Sequence, residues 1–248
     1  MRLAKAGLLV HKFWVAAGMM TGANMDKALE KLAYAALPHV AFDGWSQATL
    51  AEAAADSGLP LAEAEALVPR GGVDLALAYH HLGDAQMVAE LAARDLQAMR
   101  FRDRVTLAVR LRLVDSNAEV VRRGSALFAL PLYAADGARA LWGTADAIWV
   151  ALGDTSTDVN WYSKRATLSA VYAATVLYWL GDDSPDHEAT WAFLDRRIAN
   201  VMAFEKVKAS FNANPLGKAL MEGPLAILHR IRAPRAAQDL PGYHSKSL

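Results

Sequence analysis

Residues 155–198 read TSTDVNWYSKRATLSAVYAATVLYWLGDDSPDHEATWAFLDRRI, and this stretch decides the fold. It opens on five cap-forming residues, Thr155, Ser156, Thr157, Asp158 and Asn160. Their short polar side chains accept hydrogen bonds from the unpaired N–H groups of a helix start. Lys164 and Arg165 occupy the early turns, and no charge follows from Ala166 to Leu180. A Gly-Asp-Asp-Ser-Pro break at 181–185 stops that helix, and a second amphipathic helix is expected from about Asp186. An uncharged run this short falls below the roughly 20 residues that cross a bilayer. The segment reads as a helical hairpin whose first arm is the buried central helix of a bundle.

Asp158, Trp161, Tyr162 and Arg165 fall at i, i+3, i+4 and i+7, so they share one helical face. Two aromatics, an arginine and an acid together have the composition of a protein-binding hot spot. The alternative is that Asp158 caps the helix while Trp161 and Tyr162 pack inward. Both readings stand at this point.

Working outward, the composition is 54% hydrophobic, alanine-rich and poor in β-branched runs, which points to an all-α protein. Without cysteine, neither a disulfide framework nor thiolate chemistry is available. Lys plus Arg and Asp plus Glu balance at 26 each, so no net field draws the chain to nucleic acid. Residues 1–24 form a separate extension, with Arg2, Lys5, His11 and Lys12 and no acid before Asp26. His11-Lys12 interrupts the apolar middle a signal peptide needs. The extension reads as a basic amphipathic arm, or as sequence upstream of a start at Met19, Met20 or Met25.

Residues 25–70 have the outline of a helix-turn-helix. A helix from Met25 carries Leu29, Leu32, Ala33 and Ala36 on one side and is expected to end at Pro38. Ser46 caps a second helix, Gly58 closes it, and a short third helix starts at Leu61. The charges from Asp43 to Val68 are all acidic: Asp43, Glu52, Asp56, Glu63 and Glu65. Phosphate contacts dominate DNA affinity, and acids on the would-be recognition helix repel the backbone. The shape of a DNA-binding module is present without its charge.

Residues 71–209 are expected to form the main bundle. A helix from about Val73 to Arg100 is interrupted or bent at Gly83. His80 and His81 point about 100° apart on such a helix and read as surface or packing residues. The arginines between 94 and 123, Arg112 among them, read as a solvated, ion-paired face. A helix from about Asp136 to Leu152 follows, with Trp142 and Trp149 at helical spacing. Those tryptophans, with Trp161 and Trp179, either fill the core or line an apolar cavity. Trp142, Trp149, Tyr172 and Val176 are guesses for the lining of the pocket that the family resemblance below implies, and spacing alone does not map it.

Residues 210–248 hold an expected hinge at Asn212–Pro215, an amphipathic helix to about Arg232, and a tail. Leu216, Leu220, Met221, Ile227, Leu228 and Ile231 gather on one side of that helix, which Pro224 kinks. Arginines near its end suit the membrane interface. Docking on the protein's own domain or on a second subunit is the other reading.

No catalytic constellation is visible. HExxH, a helical Glu-x-x-His pair, a P-loop, GxGxxG and GxSxG are all absent. No metal site and no cofactor is expected. The Asp182, Asp183, Asp186, His187, Glu188 cluster sits at a helix start, where acids are favoured by the dipole.

The STD-x-NWY core, the basic pair after it, and D-x-S-PD-x-E-x-TW-x-FL-x-R-R resemble the coenzyme Q (ubiquinone) biosynthesis accessory family, ninth of the Coq series. DGWSQATLAEAAADSGLP and LALPLYAADGARAL are similar to its earlier segments, so the resemblance covers about Leu37 to Lys208. It implies a tetracycline-repressor-like fold with a relic helix-turn-helix that binds no nucleic acid. It also implies a non-enzymatic protein that binds quinone or isoprenoid lipids in an apolar pocket. The same resemblance implies membrane contact through the last helix, and docking on the demethoxyubiquinone hydroxylase through a patch matching Asp158, Trp161, Tyr162 and Arg165. A homodimer suits such a fold. Without a mitochondrial presequence the chain resembles a bacterial member, cytoplasmic and peripheral to the inner membrane. A repressor-type regulator with a hydrophobic effector pocket is the alternative; an enzyme using the Asp182–Glu188 cluster is a third reading.

Overall fold

The fold is that of a computed structural model, which describes residues 22–213 and 232–234. Among these residues every regular element is helical: α1 (Gly22–Asp43), α2 (Gln47–Ser57), α3 (Leu61–Leu67), α4 (Gly72–Ala92), α5 (Phe101–Val114), α6 (Ala118–Ala129), α7 (Ala134–Ala151), α8 (Val159–Trp179), a 3-10 turn (Pro185–His187) and α9 (Glu188–Ala213). None of the helices is long and apolar enough to cross a membrane. The expected membrane-facing residues Leu216, Leu220, Met221, Ile227, Leu228 and Ile231 lie outside the described residues, as does the extension through residue 21.

Two apolar clusters organise the chain. Leu32, Ala36 and Val40 of α1 pack with Leu50, Ala53 and Ala64 of α2 and α3. Met87, Leu91, Val109, Ile148, Leu168 and Leu194 build the second cluster, from α4, α5, α7, α8 and α9. α4 belongs to both, Leu75 and Ala76 to the first and Met87 and Leu91 to the second. One 21-residue helix thus joins the helix-turn-helix to the bundle.

The caps follow the sequence signals. The Ser46 side chain accepts from the Thr49 N–H, and Gly58 closes α2 at φ 67°. Asp158 caps α8 by accepting from the Asn160 N–H at 2.9 Å. Three expected boundaries move, each for a physical reason. α1 continues through Pro38 to Asp43. The lost hydrogen bond frees the carbonyl of Tyr34, an exposed residue, while Ala36 and Val40 on either side of the proline are fully buried. α4 ends at Ala92, well short of Arg100, because the Asp95 carboxylate takes the Gln97 N–H at 3.0 Å and turns the chain. α9 starts at Glu188, after Asp186 and His187 adopt left-handed backbone at φ 49° and 56°. It then runs to Ala213, through the first half of the expected hinge.

Two further expectations, one on α4 and one on α5, are corrected. Gly83 does not interrupt α4; one helix runs unbroken from Gly72 to Ala92. A Cβ there would stand 2.7 Å from the Arg112 guanidinium, so the glycine makes room for that side chain. Arg112 in turn is not on a solvated face: it is 7% exposed and paired with Asp84 at 2.7 Å.

Candidate functional site

A cavity of about 390 Å³ opens between α4, α5, α6, α7 and α8. Its deep wall is buried: Leu113, Val120, Ala140, Tyr172 and Val176. Its rim carries the exposed residues Ala129, Ala134, Ala138 and Leu177. Small residues make the space. Gly124, Gly137, Ala76, Ala140 and Ala173 all face it, on helices that would otherwise close together.

The four candidate cavity residues separate. Tyr172 and Val176 line this cavity. Trp149 lines a second one, of about 240 Å³, with Phe101, Val105, Leu168, Val171 and Ile198. Trp142 borders neither; its ring lies 5.8 Å from Trp161 and 6.4 Å from Tyr162. Trp142 therefore belongs with the aromatic face and not with the cavity. Helical spacing had placed Trp142 and Trp149 together, but seven residues turn a straight helix about 20° short of full register, and the neighbours differ.

At the foot of the larger cavity lies a buried polar network. Arg112 Nε donates to Asp84 at 2.7 Å, and Arg112 Nη2 donates to the His80 carbonyl at 3.0 Å. The Thr144 hydroxyl donates to Asp84 at 2.9 Å and stands 2.8 Å from His80 Nε2. Burial pushes the His80 pKa down to about 4, with Asp84 opposing and Arg112 reinforcing the shift. The ring is thus neutral near pH 7. Burial likewise raises the Tyr172 phenol, against the nearby Arg112 charge. The network was legible in one detail only: Asp84 is a lone acid in the middle of an apolar helical run, four residues after His80.

The Asp158–Arg165 face is built from a different charge cluster. Arg165 donates from Nε to Asp146 of α7 and from Nη1 to Asp154 at 3.0 Å. Lys164 reaches the same Asp154 at 2.7 Å. Burial works against its charge, yet hydrogen bonds from Lys164, Ser156 and Arg165 hold the Asp154 carboxyl well below the usual carboxylate range. The pull of these two acids draws Arg165 inside, to 2% exposure. Of the four face residues, then, Arg165 does not present itself to solvent. It lies under the half-buried Trp161, its guanidinium 4.0 Å from the ring centre. Tyr162 is exposed, and its hydroxyl donates to the Arg232 carbonyl at 3.2 Å. The Ala233 N–H donates to the Thr157 carbonyl at 2.9 Å, which returns the chain beyond α9 to the head of α8.

At the other end of α8, Asp182 accepts from the Thr190 N–H at 2.8 Å and from the Ser184 N–H at 2.9 Å. Side-chain hydrogen bonding with Ser184 and Thr190, whose hydroxyl also donates to this carboxylate, holds it below the usual range, with the backbone N–H bonds adding to the effect. Among the described residues no three His, Asp or Glu side chains are grouped to hold a metal ion.

The COQ9 family profile matches residues 134–205, from α7 into α9. Rat mitochondrial ubiquinone biosynthesis protein COQ9 is 31% identical over 207 residues, covering 80% of this chain and 65% of that protein. The human protein is 30% identical over 207 residues, covering 80% and 64%. The chain therefore spans just under two thirds of the length of these curated relatives. Among solved structures, a TetR transcriptional regulator from Nitrosomonas europaea superposes with TM-score 0.57 at 18% identity, over 69% of this chain and 95% of that one. That likeness carries the fold, an all-α tetracycline-repressor-like bundle. With the family profile and the relatives taken together, the chain is similar to the COQ9 ubiquinone biosynthesis proteins, on a tetracycline-repressor-like frame.

Proposed function

We propose that this protein is a non-enzymatic, lipid-binding accessory factor of ubiquinone biosynthesis that holds quinone or isoprenoid intermediates and presents them to a membrane-associated hydroxylase. The observation that carries the reading is the 390 Å³ cavity, apolar at its rim and set inside the bundle. Volumes of roughly 300–1,000 Å³ are those of small-molecule sites. The similarity to COQ9 proteins supplies the pathway. The Trp161–Tyr162 face supplies the docking surface, with Asp158 and the buried Arg165 fixing its shape. The amphipathic residues between Leu216 and Ile231 supply membrane contact, as a protein peripheral to the cytoplasmic side of a bacterial inner membrane. A homodimer is compatible with this scheme.

Native mass spectrometry and solvent extraction of the purified protein test the reading. A co-purifying lipid is expected. Protein that stays empty when quinone is supplied would exclude it.

The likeness to a TetR regulator favours a second reading, a repressor with an apolar effector pocket. Against it, α3 carries Glu63 and Glu65 and no cation. A duplex DNA titration at low salt is expected to stay flat; salt-dependent binding would favour the repressor.

A further inference from the structure

The turn between α6 and α7 is apolar and exposed, where turns are ordinarily polar. Leu130, Pro131, Leu132 and Tyr133 form it, in a run from Gly124 to Ala135 that carries no charge. Leu132 is 78% exposed, more than any other leucine among the described residues, and Leu130 is 51% exposed. The turn is also stiff. Leu130 takes an extended backbone ahead of Pro131, and the Tyr133 N–H donates to the Leu130 carbonyl at 2.9 Å. The Leu130 N–H is bonded to the Leu127 carbonyl and Pro131 has none, so apolar surroundings would dehydrate little unpaired backbone. Exposed Ala129, Ala134 and Ala138 continue the apolar surface to Leu177, 67% exposed at the mouth of the larger cavity. A contiguous patch of this kind marks an interaction surface, whereas scattered exposed leucines do not.

Charge selects what covers it. Arg122 and Arg123, both exposed, share the half-buried Glu119. Arg70 and Arg139, also exposed, share the half-buried Asp136. Beside the patch the solvent therefore meets guanidinium groups, with the acids behind them. The exposed acids Asp183, Asp186 and Glu188 follow Leu180, whose carbonyl accepts from Arg122 in the first half of α6, away from the turn. A second copy meeting this patch across a two-fold axis would set like charges around the contact. A bilayer bearing anionic phosphates matches both parts at once, the apolar knuckle and the cations around it.

We propose that the α6–α7 turn is a wedge into an anionic lipid surface: Leu130, Pro131 and Leu132 enter the boundary between headgroups and acyl chains, while Arg122, Arg123 and Arg139 lie on the phosphates. The proposal rests on the membrane-peripheral part of the proposed function and adds a contact on the bundle itself, separate from residues 216–231. The wedge sets the cavity mouth at Leu177 against the bilayer. Trp161 lies about 24 Å from Leu177 along α8, so the aromatic face stays free for a partner.

The test uses the full chain, in which an introduced cysteine is unique because the sequence has none. Leu132→Cys and, as a reference at an exposed position of α2, Glu52→Cys each carry a polarity-sensitive nitrobenzoxadiazole dye. With vesicles of equimolar phosphatidylcholine and phosphatidylglycerol, emission at position 132 is expected to shift to the blue and brighten, while position 52 stays unchanged. In vesicle flotation, Leu132→Asp is expected to bind about tenfold more weakly than wild type, with its circular dichroism unaltered. Arg139→Gln should weaken binding to the mixed vesicles about fivefold and leave binding to phosphatidylcholine alone unchanged. An unshifted dye at position 132 on vesicles that wild type binds, or a Leu132→Asp protein that floats as well as wild type, overturns the wedge and leaves the other membrane contact standing. A blue shift at position 132 that grows with protein concentration in the absence of lipid overturns it in favour of a second copy. If wild type binds neither kind of vesicle, membrane attachment itself fails and the wedge fails with it.

Discussion

The guanidinium of Arg165 sits 4.0 Å from the centre of the Trp161 ring, stacked beneath it from inside the protein. Its other contacts, Asp146 and Asp154, tie α8 to α7 and to the loop between them. The arginine therefore acts on the aromatic face by holding it in place. Arg165→Ala should leave Asp154, itself 3% exposed, with Lys164 as its remaining ion-pair partner. Removing one member of a buried ion pair typically costs about 3–5 kcal/mol; with Lys164 still present, a loss near 3 kcal/mol is expected. Arg165→Lys should recover little, because a single ammonium cannot span both acids. Urea unfolding at pH 7.5 measures both, and a loss below about 1 kcal/mol for the alanine variant would contradict the pairing.

His80 gives the fold a definite pH dependence. Its pKa of about 4 in the fold lies below the roughly 6.5 of an unfolded histidine. Between those values the unfolded chain binds a proton that the fold does not, so stability falls as pH falls. The contribution is complete above pH 6.5 and gone near pH 4, a change of roughly 3 kcal/mol. His80→Gln should flatten this slope. Asp154, with its depressed pKa, acts lower on the scale: its contribution is present above the ordinary aspartate range of about 4 and is lost as pH drops further. Denaturant titrations at half-unit steps from pH 7.5 to 3 would separate the two; an unchanged upper limb in His80→Gln would show that another group titrates there.

Much of this frame was readable before any coordinates, because caps and breaks are local. Ser46, Gly58 and Asp158 do in the fold what their side chains predict, since each acts on backbone within three or four residues. Pro38 was misread because its local cost is outweighed by burial of Ala36 and Val40 against distant helices. Gly83 was misread for a similar reason: the cause of its smallness is Arg112, 29 positions away. The candidate site was legible as a set of residue types and illegible as a grouping. Periodicity along α7 could not reveal that Trp142 faces Trp161 while Trp149 stacks at 5.5 Å on Phe101. The inward turn of Arg165 was hidden too, because Asp146 and Asp154 arrive from another helix and a loop.

Gly83 and Gly143 make a paired test of this account. Alanine is favoured over glycine inside a helix by about 1 kcal/mol, so both substitutions begin with the same advantage. At Gly143 a Cβ meets nothing within 4 Å, and Gly143→Ala should stabilise by roughly 0.5–1 kcal/mol. At Gly83 the new methyl would press on a guanidinium that Asp84 and the His80 carbonyl hold in place. Overpacking of this kind costs about 1–3 kcal/mol, so Gly83→Ala should be net destabilising by about 1 kcal/mol. Opposite signs in the two melting temperatures are expected, and a stabilised Gly83→Ala would mean that Arg112 is free to move.

Trp161 distinguishes a docking face from a core position. Its ring touches Trp142, Tyr162 and Arg165, yet it is only half buried and belongs to neither apolar cluster. An aromatic pair and a cation–π contact at such a site contribute roughly 0.5–1.5 kcal/mol each. Trp161→Ala should therefore keep its helical circular dichroism and lose about 1–2 kcal/mol of stability. If the face docks on a hydroxylase, truncating a central aromatic should weaken that complex at least tenfold, since hot-spot residues typically carry more than 2 kcal/mol. Tyr162 provides the contrast. Tyr162→Phe removes the bond to the Arg232 carbonyl but keeps the ring, so docking should survive, whereas Tyr162→Ala should lose it. Co-purification of the tagged hydroxylase with each variant reads the outcome. A folded Trp161→Ala that still retains the hydroxylase in full would remove this face from the docking scheme, and an unfolded one would assign Trp161 to the core.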